Sequence, residues 1–153
     1  SKRFVERLQW IFENGHYDPT NEPDIAYPYL FSRVKGYEHL TQEYVKRLLD
    51  ENYTTSPDGL PGNDDTGTMS AWAVFSMMGL YPDCPGEPYY TITTPRFHRV
   101  EIDTDHGTIV ISTEGEGNYI KRGGIMLGNK STDRFRIRHD ELINAKELKL
   151  KLY

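Results

Sequence analysis

An α+β fold is expected for this chain, and two patterns with a break between them predict it. Apolar residues recur at helical spacing up to about residue 80, whereas from Tyr89 onward short strand-like runs are punctuated by glycine. The turn-rich stretch Tyr81-Pro82-Asp83-Cys84-Pro85-Gly86 separates the two patterns. The 153 residues suffice for one core or two small lobes. The reading adopted is a helical part over residues 1–80 and a small antiparallel strand lobe over 81–153.

Phe4, Val5, Leu8, Ile11 and Phe12 define a helix over about residues 2–14 that stops near Gly15. It opens without a clear cap, which is read as a sign that a segment before Ser1 is missing. The aromatic, proline-rich passage His16 to Phe31 follows. Within it Asn21 is placed to cap a helix beginning at Glu22-Pro23, because proline is tolerated in a first turn whose N–H groups are unpaired anyway. Pro28 is expected to interrupt that helix near Tyr27.

Thr41 and Gln42 open a second helical pattern, with Tyr44, Val45, Leu48 and Leu49 as its apolar stripe, ending at Asn52-Tyr53. Ser56-Pro57-Asp58-Gly59-Leu60-Pro61-Gly62 is a dense turn signal. A third helix, capped by Thr68 or Ser70, runs through Met78 and terminates at Gly79. It is apolar almost all round and so requires neighbours on more than one side. Strands are expected over 89–93, 98–103, 108–113, 119–120, 125–127, 135–138 and 148–150, with Gly115-Glu116-Gly117-Asn118 as a hairpin turn. Few large core residues stand out in this second half, so the chain is read as part of a larger helical assembly.

Charge narrows the function classes. With 18 Lys plus Arg against 23 Asp plus Glu, interspersed to a net charge of −5, the chain lacks the basic stripe of a nucleic-acid or anionic-membrane partner. A single cysteine, Cys84, forms no internal disulfide and no zinc or iron–sulfur cluster. No apolar run reaches the roughly 20 residues of a membrane span, and no signal-peptide pattern opens the chain. His16, His39, His98, His106 and His139 are too scattered for a zinc motif. Asn52-Tyr53-Thr54 and Asn129-Lys130-Ser131 fit the glycosylation acceptor pattern and are read as coincidental.

The chemistry is expected at Gly62-Asn63-Asp64-Asp65-Thr66-Gly67, where two adjacent acids stand between glycines just ahead of the apolar third helix. Carboxylates at such an entrance can take a proton from water, or bind a cation or sugar hydroxyls. The alternative is structural: one of Asp64 and Asp65 caps the local turn while the other is solvated. Asn21-Glu22-Pro23 offers a second acid in a first helical turn, which is either ordinary capping chemistry or a group facing the Asp64 loop across a pocket. Calcium suits a place rich in carboxylate and carbonyl oxygens. Trp10, Tyr17, Tyr27, Tyr29, Phe31 and Trp72 are each a sugar-stacking platform or core, the latter being the commoner fate of aromatics at helical spacing.

Several ordered stretches together resemble glycoside hydrolase family 92, the calcium-dependent exo-acting alpha-mannosidases. They are Thr20-Asn21-Glu22-Pro23, Tyr27-Pro28-Tyr29-Leu30-Phe31, Thr41-Gln42-Glu43-Tyr44-Val45, the run from Tyr53 to Gly67, Met69-Ser70-Ala71-Trp72-Ala73-Val74-Phe75-Ser76, and Gly79-Leu80-Tyr81-Pro82. The resemblance covers roughly residues 20 to 95 and implies a partial (alpha/alpha)6-type helical segment followed by terminal strands. It implies that an N-terminal β-sandwich domain and most of the barrel lie outside this chain. It further implies inverting hydrolysis of mannose-containing glycans, with Asp64 or Asp65 as general base and the general acid upstream of Ser1. Glu22 would serve the calcium and mannose site, with Asn21 and Asn63 as neighbouring sugar contacts. A periplasmic, secreted or cell-surface setting in a bacterium goes with that family, and the isolated chain is expected to be inactive.

The chain departs from the family pattern after Asn-Glu-Pro. Asp24-Ile25-Ala26 stands where many relatives carry Ser or Cys and a His pair, which removes polar groups beside the expected pocket. The alternative from a different class is a non-catalytic carbohydrate-binding or assembly module, in which the acids hold calcium without hydrolysis.

Overall fold

A computed structural model describes residues 1–153 and shows the expected α+β class. Two compact units, Ser1–Val74 and Phe75–Tyr153, divide the chain. The division falls inside the third helix, ahead of the residue-80 boundary read from composition.

In the first unit, helix α1 (Lys2–Glu13) buries Val5, Leu8 and Phe12 along one face. Gly15 at φ +70° ends it, a conformation that glycine adopts without cost. The Glu22–Pro23 segment is not an α-helix. It forms a 3₁₀ turn over Glu22–Asp24, and a second 3₁₀ helix runs over Tyr27–Arg33. Pro28 sits in the first turn of that second helix instead of interrupting it, where its missing N–H costs nothing. Asn21 occupies the cap position by backbone alone, since its side chain makes no capping bond.

Helix α2 (Glu38–Asn52) begins ahead of the expected Thr41. Glu38 supplies the acidic first turn and its carboxylate accepts the Gly36 N–H at 2.8 Å. Thr41 is fully buried and its hydroxyl accepts the Ser32 N–H at 3.1 Å, so it ties the 3₁₀ helix to α2. Phe31 and Tyr44 stack with ring centroids 5.1 Å apart, and Phe12 meets Tyr44 at 4.4 Å. Phe31 therefore belongs to the core that joins α1, the 3₁₀ helix and α2, while Tyr29, also buried, meets the edge of Trp72 at 6.4 Å.

Helix α3 (Thr68–Met78) crosses into the second unit and ends at Gly79, at φ +90°. The second unit then continues through β1 (Leu80–Tyr81), β2 (Tyr89–Ile92), β3 (Arg99–Thr104), β4 (Gly107–Glu114), β5 (Ile120–Leu127), β6 (Lys130–Thr132), β7 (Arg136–Arg138), α4 (His139–Ala145) and β8 (Glu147–Leu152). Strands β1-β2-β7 form an antiparallel sheet, and a second sheet has the order β3-β4-β8-β5-β6.

Four features of this unit differ from expectation. Strand β8 runs parallel to β4, so the larger sheet is mixed. Because β8 separates β4 from β5, residues 115–118 link two strands that do not pair with each other and are not a hairpin turn. The core is larger than the sequence suggests, with Ile92, Ile111, Ile125, Ile137, Leu148 and Leu150 nearly inaccessible to solvent. Helix α4 was not expected. Its start is fixed by the Glu141 carboxylate, which accepts the Arg138 N–H at 2.9 Å, and by acids in its first turn.

Candidate active site

The acid loop precedes α3 and is held by an unusual backbone. Asp65, Thr66 and Gly67 have φ of +49°, +61° and +90°, three consecutive residues in the left-handed region. Aspartate and glycine tolerate that region; a β-branched threonine does so only against steric resistance. Hydrogen bonds fix the turn. The Asp65 carbonyl accepts the Thr68 N–H at 3.2 Å and the Thr68 hydroxyl at 2.7 Å, and the Asp64 carbonyl accepts the Met69 N–H at 3.1 Å.

The two carboxylates are treated differently. Asp64 is half-buried; its Oδ1 accepts both the N–H and the hydroxyl of Ser70 at 2.8 Å, and Oδ2 lies 3.0 Å from the same hydroxyl. Asp64 is thus the side chain that caps α3. Thr68 and Ser70 are hydrogen-bond donors here, not the capping acceptors that their type suggested. Asp65 is exposed, and its carboxylate has no hydrogen-bond or ion-pair partner within the chain.

The other acid stands on the turn Asn21–Asp24. Asp18 accepts the Thr20 N–H at 2.9 Å and the Thr20 hydroxyl at 2.7 Å, which holds the Asp18 carboxyl below the usual carboxylate range. The Asp24 carboxylate accepts the Asp18 N–H at 3.0 Å and closes the turn. Ile25 is buried, so in the departure Asp24-Ile25-Ala26 the first residue braces the turn and the second enters the core. Asn21 and Glu22 are exposed with unpartnered side chains, as is Asn63.

Two contacts bring this turn against the acid loop. A Cβ added to Gly62 would stand 2.8 Å from the Thr20 Cβ and 2.9 Å from the Thr20 carbonyl oxygen, so the two backbones touch at a point where only glycine fits. Trp72, 2 % exposed, donates its indole N–H to the Ile25 carbonyl at 2.9 Å and pins the turn to α3. Tyr53 stacks on Trp72 at 5.5 Å. Residues about forty positions apart, Thr20 and Gly62, are therefore in contact, and the segments that carry Asn21, Glu22, Asn63, Asp64 and Asp65 adjoin there.

Trp72, Tyr29 and Phe31 are core and offer no face to a sugar. Trp10 is 41 % exposed but already stacked with His16 and covered by the Arg7 guanidinium. Tyr17 and Tyr27, both half-buried, remain the partly accessible aromatics of the passage. No group of three His, Cys, Asp or Glu side chains converges to hold a metal ion. No helix is long and apolar enough to cross a membrane.

Sequence reasoning missed Ser70 as the partner of Asp64, Asp18 and Thr20 as braces of the Glu22 turn, and the Trp72 N–H. A Ser two residues into a helix with an acid six residues before it was the only available signal for the first of these.

The chain as a whole matches a known family of glycoside hydrolases. The chain matches the Glycosyl hydrolase family 92 catalytic domain over residues 1–153 and belongs to that family. It is similar to an uncharacterized secreted glycosidase of Arthroderma benhamiae, with 29% identity over 157 residues that take in 98% of this chain and 20% of that protein. Among solved structures it is similar to a family GH92 alpha-mannosidase from Bacteroides thetaiotaomicron, with 27% identity and a TM-score of 0.84 over 97% of this chain and 21% of that one. A family GH92 inverting mannosidase from the same organism shares 34% identity, with a TM-score of 0.78 over 91% of this chain and 19% of that one. The chain thus spans about a fifth of the length of the relatives it matches.

Proposed function

We propose that this chain supplies the general-base edge and part of the sugar site of an inverting, exo-acting alpha-mannosidase whose other parts, including a β-sandwich domain and most of a helical barrel, are carried by a longer parent chain. On this reading residues 1–80 are the last part of the barrel, and the chain alone is inactive because it lacks the general acid. The observation that carries the reading is the contact of Gly62 with Thr20, which sets the Glu22 turn beside the acid loop. Membership of the family and the likeness to two mannosidases support the substrate class.

The division of labour follows from the carboxylates. Asp64 is occupied by Ser70, whereas Asp65 has its lone pairs open. Asp65 is therefore assigned as the base that takes the proton from the attacking water, and Asp64 as the anchor that holds the loop. An inverting pair must stand about 6.5–9.5 Å apart to admit water on the face opposite the leaving group; the family resemblance implies that the acid lies upstream of Ser1. Asn21, Glu22 and Asn63 are assigned to sugar hydroxyls. Glu22 would also hold calcium, with Asn21 beside it. When bound, that ion supplies positive charge that orients sugar hydroxyls and favours a flattened ring. The secreted relative supports a periplasmic, secreted or cell-surface setting, and the Bacteroides neighbours support a bacterial one.

The test is hydrolysis of an alpha-mannoside by the parent chain, followed by NMR of the first-formed sugar. Release of β-mannose is expected. Release of α-mannose overturns the inverting mechanism, and sugar binding without hydrolysis favours a binding module.

A further inference from the structure

The cap of α3 is placed where an ordinary helix cap is not. A capping side chain normally belongs to the residue just before the first helical turn. In α3 that position is Gly67, which has no side chain, and the carboxylate comes from Asp64, reaching across the left-handed residues Asp65, Thr66 and Gly67 to Ser70. The bond therefore closes a ring around the acid loop as well as ending a helix.

Resting on the mannosidase reading above, we propose that Ser70 is a positioning residue whose hydroxyl clamps the Asp64 carboxylate and thereby holds Asp65 in the orientation that presents it to the attacking water. The Ser70 hydroxyl lies 2.8 Å from Asp64 Oδ1, 3.0 Å from Oδ2 and 3.3 Å from the Gly67 carbonyl, so one side chain spans both ends of the left-handed segment. Its backbone N–H, at 2.8 Å from Oδ1, would satisfy helix capping without the hydroxyl. What the hydroxyl adds is the second contact, which fixes the carboxylate plane, and a link to Gly67. The segment it spans includes a β-branched residue at φ +61°, a conformation that persists only when its surroundings enforce it. Asp65 has no side-chain partner of its own, so its direction depends on the backbone that the clamp holds.

The experiment compares Ser70→Ala and Ser70→Thr in the parent chain, using an alpha-mannoside and amide hydrogen exchange. Ser70→Ala is expected to lower kcat roughly 10- to 100-fold per folded molecule, with KM within about threefold, because the base is displaced while the sugar contacts remain. Exchange at Thr68 and Met69 should accelerate, since their amides are held by the Asp65 and Asp64 carbonyls. Ser70→Thr keeps the hydroxyl and should restore both readouts. Wild-type exchange at these amides in Ser70→Ala overturns the clamp, whatever the activity. Accelerated exchange with unchanged kcat overturns the link from the clamp to Asp65. A wild-type parent chain that hydrolyses no mannoside refutes the functional reading instead, and leaves the exchange result to judge the clamp.

Discussion

Gly62→Ala puts the convergence of the two loops to a direct test. The added methyl would stand 2.8 Å from the Thr20 Cβ, 2.9 Å from its carbonyl oxygen and 3.2 Å from its Cα. Carbon atoms settle at about 3.5–4.0 Å, so the shortest contact is too close by about 0.7 Å. Two of the three atoms are backbone, and no rotamer change relieves them. The chain carrying Asn21 and Glu22 must therefore move away from the loop carrying Asn63, Asp64 and Asp65. Overpacking of this kind costs about 1–3 kcal/mol, which urea denaturation reads as a lower midpoint at unchanged slope. Displacing one half of a sugar site by most of an ångström lowers turnover by roughly 10- to 100-fold. Gly59→Ala is the control: its methyl would meet the Thr54 carbonyl at 2.3 Å, inside its own turn, so it should destabilise without separating the two loops. Wild-type stability and turnover in Gly62→Ala, or equal turnover losses per folded molecule in both variants, would refute the reasoning.

Other outcomes follow from the same geometry. Trp72→Phe removes the donor to the buried Ile25 carbonyl, which should cost about 1–3 kcal/mol for the orphaned acceptor and more for the space left, and should loosen the Glu22 turn; urea unfolding and exchange at the Ile25 amide measure both effects. Glu13 lies under the Tyr44 hydroxyl at 2.7 Å and the Arg47 guanidinium at 3.1 Å, which hold its carboxyl below the usual range, the tyrosine contact being the larger cause. Its stabilising contribution is complete above the unfolded-state value of about 4.3 and is lost as pH falls through the lower folded-state value. Glu13→Gln should therefore flatten the acid side of a stability–pH curve by less than about 1 kcal/mol, because the group is largely exposed; an unchanged curve would show that the contact contributes nothing.

How much of this was legible in the sequence depended on range. Helices α1 and α3 ended where Gly15 and Gly79 indicated, because helix termination is a local matter of positive φ. Strand positions followed alternation, but the pairing did not. Strand β8 is central since Leu148 and Leu150 fill one buried face, yet nothing local fixes its parallel direction beside β4. Helix α4 escaped notice because its few residues carry little periodicity and its signal lay in Glu141 reaching back to Arg138. At the site, the residue types of Glu22, Asp64 and Asp65 singled out two segments that meet at Thr20 and Gly62. The division between a bound Asp64 and an open Asp65 was posed by sequence and could not be assigned by it, since the partner, Ser70, was itself read as a cap. The Gly62–Thr20 approach is a long-range contact that turn composition alone explains away.

The central claim is that the Asp65 carboxylate, on an edge shared with Glu22, activates water for attack on a mannoside. Asp65→Asn in the parent chain tests it most directly, with Asp64→Asn beside it and azide added as a small nucleophile that needs no base. The account predicts that Asp65→Asn loses about 10²–10⁴-fold in kcat while remaining folded, and that azide restores turnover with an inverted mannosyl azide as product. Wild-type turnover in Asp65→Asn, without azide, would contradict it.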